Sequence, residues 1–252
     1  MVFYFCTMQK LVAYLLTPIF FICFGLVLVV FHPIQWIAFN LFGYSAHKRS
    51  VSLLNLSLLR STHLLGTRYS FNNSHQLPKD RPLIIVANHQ SMYDIIPIIW
   101  FLRAHHPKFV SKIELGKGIP SVSYNLRHGG SVLIDRKDSR QALVQISKLG
   151  KYIEEHQRSA VIFPEGTRSR TGHPKKFQTT GLKILMKNAP SALIVPVSIN
   201  NSWKMLRYGK YPTGAGNHLT FDVHAPLENE GNKDELIATV EQLVRSGITS
   251  FK

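Results

Sequence analysis

Residues 83–94, LIIVANHQSMYD, decide the fold. Leu83 to Ala87 are apolar without alternation, the pattern of a strand covered on both faces inside a largely parallel sheet. The chain then turns polar at once, so Asn88 and His89 leave the strand at its C-terminal end, where groups that bind and react collect in open α/β sheets.

The flanking sequence repeats the pattern. KFV (108–110), SVLI (131–134), AVIF (160–163) and ALIVPVSI (192–199) are further apolar runs rich in Val and Ile, and LTFDV (219–223) alternates as an edge strand would. Between them, residues 139–156 carry Ala142, Leu143, Ile146, Leu149 and Ile153 at helical spacing, and shorter helices are predicted over 180–187 and 233–244. Alternating strands and helices predict an α/β fold: a mostly parallel sheet with helices on both faces, occupying residues 66–252.

Residues 1–65 are different. From Leu11 to Phe31 no residue is charged, and as a helix that stretch would run roughly 32 Å, about the thickness of a bilayer's hydrocarbon core. The uncharged run continues to Ala46, with Pro33 expected to break it and Trp36, Phe39 and Phe42 suited to an interface. The prediction is therefore an N-terminal membrane-associated helical segment, as one spanning helix or as a re-entrant two-helix hairpin. A cleaved signal peptide is disfavoured by the length of the run and the lack of a small-x-small site after it. Residues 51–67 read as a helix against the membrane or the domain. Lys48, Arg49 and Arg60 follow the run and only Lys10 precedes it, which puts the α/β domain on the cytoplasmic side, expected at a bacterial inner membrane.

Thirty Lys and Arg against fourteen Asp and Glu give a net charge of +16, which calls for an anionic partner. With so apolar an N-terminus, anionic membrane lipids are favoured over nucleic acid. Both cysteines, Cys6 and Cys23, lie in the apolar region, where they read as small hydrophobes rather than a disulfide. The α/β part has no Cys to act as nucleophile or zinc ligand, and there is no G-x-S-x-G, C-x-x-C, P-loop or G-x-G-x-x-G. No cofactor or metal is expected, and direct transfer without a covalent enzyme intermediate is the simpler chemistry.

Three constellations carry chemistry. His89 and Asp94 stand five residues apart at the strand end; a carboxylate on one ring nitrogen would leave the other as a base. The same two residues also fit a loop histidine beside a structural aspartate, while metal ligation lacks a third ligand at close spacing. After AVIF, Pro164-Glu165-Gly166-Thr167-Arg168-Ser169 puts a carboxylate at the same mouth, with Arg168, Arg170, Lys175 and Lys176 close behind. There Glu165 could bind an acceptor hydroxyl or orient a cation, or the loop could simply be solvated and basic. Lys112 and Arg136 each follow a strand, as an anionic head group would require, although each alone also fits a surface charge.

Four ordered blocks then resemble the PlsC-type glycerolipid acyltransferases: NHQSMYD (88–94), GSVLIDR (130–136), FPEGTRS (163–169) and IVPVSI (194–199). The resemblance extends over about residues 82–226. It implies His89 as general base with Asp94 as its partner, and Arg136 with Lys112 holding the acceptor's phosphate. It further implies Glu165 and Gly166 in the acceptor site, Thr167 and Arg168 shaping it, and Pro196 supporting it. The implied donor is a fatty acyl thioester of coenzyme A or acyl carrier protein, the acceptor lysophosphatidic acid, and the product phosphatidic acid. Transfer to glycerol 3-phosphate, another lysophospholipid or a lyso-aminolipid is the nearest alternative; a membrane-tethered nucleic-acid or anionic-surface binding module is the non-enzymatic one. Two departures stand out. Phe177-Gln178-Thr179-Thr180-Gly181 is one residue longer than the family's pattern and lacks its lysine, and residues 116–128 lack the expected apolar pattern. The sequence leaves the oligomeric state open.

Overall fold

The computed structural model describes residues 2–249, with side chains from Met8 onward. Seven strands form one sheet: β1 (Arg68–Asn72), β2 (Leu83–Ala87), β3 (Pro107–Lys112), β4 (Val132–Ile134), β5 (Ser159–Ile162), β6 (Leu193–Asn200) and β7 (His218–Val223). Their order is β1-β7-β6-β2-β5-β3-β4, and every neighbouring pair is parallel except β6 with β7.

β2 has the predicted bounds, and its alternation divides the core in two. Leu83, Ile85 and Ala87 face α1 (Val2–Thr62) and α2 (Ile95–Phe101), packing with Phe20, Leu54, Leu58 and Ile98. Ile84 and Val86 face α4 (Ser139–His156), α5 (Thr179–Asn188) and α6 (Lys233–Ser246), among Leu149, Leu182 and Val240. All five β2 side chains are fully buried because helices cover both faces. The helix predicted over 139–156 is α4, capped by Asp138, whose side chain accepts from the Gln141 N–H.

β7 is not the edge strand its alternation predicted. It lies between β6 and β1, and β1 forms the edge. The sequence of β1, RYSFN, is too polar to signal a strand; it exists because β7 offers its ladder, with Arg68 opposite His218 and Asn72 opposite Asp222.

The long apolar helix does not break at Pro33. Pro18 and Pro33 lie inside α1, since the φ that proline imposes is helical, and the chain bends instead at Gly43, at φ 75° and ψ −166°. After the bend, Leu54, Leu58 and Leu59 drive the second limb into the core beneath the sheet. The first limb and the residue just past the bend lie along the α/β domain over residues 13–44, and their polar side chains turn that way. The Thr17 hydroxyl accepts from the Thr213 N–H, His32 Nδ1 accepts from the Ser121 N–H, Asn40 donates to the Tyr124 hydroxyl, and Tyr44 bonds His106. Leu11, Leu15, Ile19, Ile22, Leu26 and Leu41 form an exposed stripe on the other side.

The stretch 116–128, short of the expected apolar pattern, includes α3 (Val122–His128). It docks on α1 through the rings of Tyr124 and His128 against Phe39 and through polar contacts, among them the Ser121 hydroxyl donating to the Leu28 carbonyl at 2.6 Å. Cys23 is a free, half-buried thiol; the Cys6 side chain lies outside the described residues.

Candidate active site

β2, β3, β4 and β5 run parallel, so the segments following them open at one end of the sheet. Beyond β2, Asn88 leaves the strand with its amide clamped to β6: Nδ2 donates to the Ile199 carbonyl at 2.9 Å, and Oδ1 accepts from the Ile199 N–H at 2.7 Å. That clamp fixes where His89 leaves the sheet.

The chain then folds tightly. Ser91 caps a 3-10 turn, Met92–Asp94, which brings Asp94 back towards His89. Asp94 is fully buried. Its Oδ2 accepts from His89 Nδ1 at 2.7 Å, from the Gln90 N–H at 2.8 Å and from the Ser91 N–H at 3.0 Å. Its Oδ1 accepts from the Ser202 hydroxyl. Facing a carboxylate oxygen, Nδ1 is the nitrogen placed to donate, which leaves Nε2 with its lone pair. Nε2 has no hydrogen-bond partner among the described residues. The ring stacks on Phe163, with centroids 4.2 Å apart, and the side chain is 14% exposed: held in place, yet reachable. Chemically, a carboxylate, an oriented imidazole and a free nitrogen can act together as a general base.

Ser202 was not apparent from the sequence. It follows β6, the neighbour of β2, and the polar run Asn200-Asn201-Ser202 at that strand's end was the only signal. Gln90 strengthens the same link by accepting from the Ser202 N–H at 3.0 Å.

After β5, Phe163 and Pro164 lead into the acidic turn. Gly166 occupies φ 69°, a conformation that suits glycine, and its N–H closes the turn on the Phe163 carbonyl. Glu165 is 3% exposed; Oε1 accepts from the His89 N–H at 3.0 Å and Oε2 from the Lys175 N–H at 2.9 Å. Both oxygens thus hold backbone, joining the base's strand end to the basic loop. Burial pushes the Glu165 carboxyl above the ordinary carboxylate range, against the pull of those N–H groups and of the Lys175 charge. The Ser169 N–H donates to the His89 carbonyl at 2.7 Å, so neighbouring Arg168 stands beside the base. Exposed Thr167 receives the Lys175 ammonium at 2.7 Å. Pro196 is buried in β6 opposite Val86 of β2.

Arg136 follows β4 on a segment braced by Gln141, which accepts from the Asp135 N–H and donates to the Leu133 carbonyl. Burial lowers its pKa, the nearby Arg168 charge lowers it further, and Glu114 opposes them. The two exposed guanidiniums are therefore close enough to repel, a pairing that an anion between them would relieve. Lys112 ends β3 opposite Ile134, two residues before Arg136, and is exposed. Among the described residues no three His, Cys, Asp or Glu side chains group to hold a metal.

The acyltransferase family model matches residues 68–200, and the chain belongs to that family. It is 25% identical over 204 residues to sheep 1-acyl-sn-glycerol-3-phosphate acyltransferase alpha, covering 81% of this chain and 69% of that protein. It is 38% identical over 133 residues to the 1-acyl-sn-glycerol-3-phosphate acyltransferase of Helicobacter pylori, covering 50% of this chain and 54% of that one. The crystal structure of the 1-acyl-sn-glycerophosphate acyltransferase PlsC from Thermotoga maritima superposes with a TM-score of 0.78 at 26% identity, covering 96% of this chain and 95% of that one.

Proposed function

We propose that the protein transfers a fatty acyl group from a thioester of coenzyme A or acyl carrier protein to the sn-2 hydroxyl of 1-acyl-sn-glycerol 3-phosphate, forming phosphatidic acid. The observation that carries the reading is the 2.7 Å bond from His89 Nδ1 to a buried, four-donor Asp94, with Nε2 left free at the sheet mouth. The substrates named for the sheep, Helicobacter and Thermotoga proteins support the choice of acceptor.

In this mechanism Nε2 takes the hydroxyl proton as the acceptor oxygen attacks the thioester carbonyl. Asp94 stabilises the imidazolium that forms; the tetrahedral intermediate collapses, the C–S bond breaks, and the thiolate leaves and takes up a proton. Thioesters are already activated, so orientation is the main need, and a phosphate held by Arg136, Arg168 and Lys112 meets it. Glu165 acts as a positioning residue, fixing the His89 backbone and the basic loop in one frame, while Gly166 and Thr167 shape that loop.

The same reading places the protein on a membrane through α1, with the α/β domain on the cytoplasmic side. The exposed stripe supports this, and the domain contacts along residues 13–44 favour a helix lying in one leaflet over one crossing the bilayer, since the polar domain packed along it stays in water. The second limb packs beneath the sheet through Leu54, Leu58 and Leu59.

The test is transfer of a labelled acyl group from acyl-coenzyme A and acyl carrier protein to lysophosphatidic acid, glycerol 3-phosphate and other lysolipids. Lysophosphatidic acid should be preferred, and His89→Ala should lose at least about a thousandfold in kcat while staying folded. Equal use of every acceptor would remove the substrate assignment; normal turnover by His89→Ala would remove the base.

A further inference from the structure

A second basic cleft, a shallow one enclosing about 30 Å³, opens between the second limb of α1, the start of β3 and the end of α3. Its walls include His47, Lys48, Arg103, His106 and Lys108, and no Asp or Glu lines it. It stands at the N-terminal end of β3, whereas Lys112 ends that strand; four residues of extended chain separate the two lysines, about 13 Å. The acyl-transfer mechanism uses none of its residues.

Lys108 is its most unusual member. The side chain is 7% exposed, and its ammonium has no hydrogen bond or ion pair among the described residues. The ammonium stands 5.0 Å from the Tyr44 ring, which Arg158 also covers at 3.7 Å. Nearby, the buried His47 Nε2 has no partner either. Burial, with the Arg158 and Lys48 charges, brings the Lys108 amine down to about 7, and burial with its cationic neighbours brings His106 down to about 4. A buried ammonium among like charges carries a large cost unless an anion joins it.

We propose that this cleft binds the phosphate of an anionic glycerophospholipid, at a site separate from the acceptor site, through Lys108, Lys48 and Arg103. A lipid source is favoured because Leu41 and Phe42, 68% and 71% exposed, lie immediately before the bend that leads to Tyr44, His47 and Lys48. Anion recognition is independent of the acyl-transfer reading; the lipid source rests on α1 lying at the membrane.

The experiment labels the detergent-solubilised full chain with acetic anhydride at pH 8 in chloride buffer and follows acetylation of Lys108 by peptide mass spectrometry. Dihexanoyl phosphatidylglycerol should slow labelling roughly tenfold by holding the amine protonated, while dihexanoyl phosphatidylcholine should leave it unchanged. An equal effect of inorganic phosphate at the same concentration overturns the lipid source, and protection by coenzyme A alone shows that the donor occupies the cleft and overturns the proposal. A second measurement decides if Lys108 resists labelling: phosphatidylglycerol should raise the Tm of the native protein and not that of Lys108→Met, and equal shifts overturn the site. Acyl transfer by Lys108→Met in phosphatidylcholine micelles should match the native rate, so failure of this proposal and failure of the acyltransferase reading give different results.

Discussion

Replacing Asp94 with asparagine isolates its charge from its geometry. Three donors, His89 Nδ1 and the N–H groups of Gln90 and Ser91, converge on Oδ2, while Oδ1 meets only hydroxyls, those of Ser202 and, at 3.5 Å, Ser91. An asparagine side chain must therefore place its oxygen where Oδ2 stands, and its amide can donate to the Ser202 oxygen once that hydroxyl turns. The histidine tautomer and the turn survive; the negative charge does not. At 2.7 Å, and with an effective dielectric near 20, the carboxylate is worth about 6 kcal/mol to a full imidazolium. With the proton about half transferred in the transition state, about 3 kcal/mol is lost, or roughly a hundredfold in kcat. Steady-state transfer to lysophosphatidic acid, with Tm as a control on folding, measures this. Turnover as low as that of His89→Ala would show that asparagine sits the other way round and disrupts the tautomer, and native turnover would show that Asp94 supports no charge. Either result refutes the reasoning.

Other expectations concern binding, stability and membrane attachment. Arg136→Ala should raise the acceptor KM about tenfold to a hundredfold with little change in kcat, as expected for a lost charge-assisted phosphate contact; an unchanged KM counts against the phosphate site. Lys108 titrates at about 7 when folded and at 10.5 in its ordinary state, so the unfolded chain binds more protons between those values. Its contribution to stability is full above about pH 10.5 and is lost as pH falls through about 7, so Lys108→Met should be the more stable protein at pH 6, by up to ~5 kcal/mol, and lose that margin by about pH 10. A margin independent of pH in melting experiments in chloride buffer would contradict the burial of the charge. Changing Leu15, Ile19 and Ile22 together to glutamine should abolish sedimentation with phospholipid vesicles without lowering Tm, because these side chains are exposed and contribute about 1.5–3 kcal/mol each when inserted in lipid. Full sedimentation of that variant refutes the attachment.

Much of the fold was legible because strands buried on both faces must be apolar throughout. β2 and the helix over 139–156 match the bounds expected from sequence, and the remaining apolar runs differ from their strands by a residue or two at their ends. β1 was hidden because an edge strand with polar residues is specified by its partner rather than by its own composition. The bend at Gly43 was hidden for a different reason: proline announces a break that a long helix can absorb, whereas glycine permits one silently. In the site, His89 and Asp94 were visible because local sequence brings them together, while Ser202, 108 residues beyond Asp94, depended on β6 lying next to β2. Glu165 was visible as a carboxylate at the right place, but its bonds to two backbone N–H groups are set by the path of two loops.

The pairing of β1 with β7 sets an order on biosynthesis. Arg68 is made 150 residues before its partner His218, and β1 has no other neighbour in the sheet. While the ribosome is still working, β1 stands beside α1 without its partner. A nascent chain halted before residue 218 would hold β1 without a ladder, so this edge of the sheet closes only once β7 has been made.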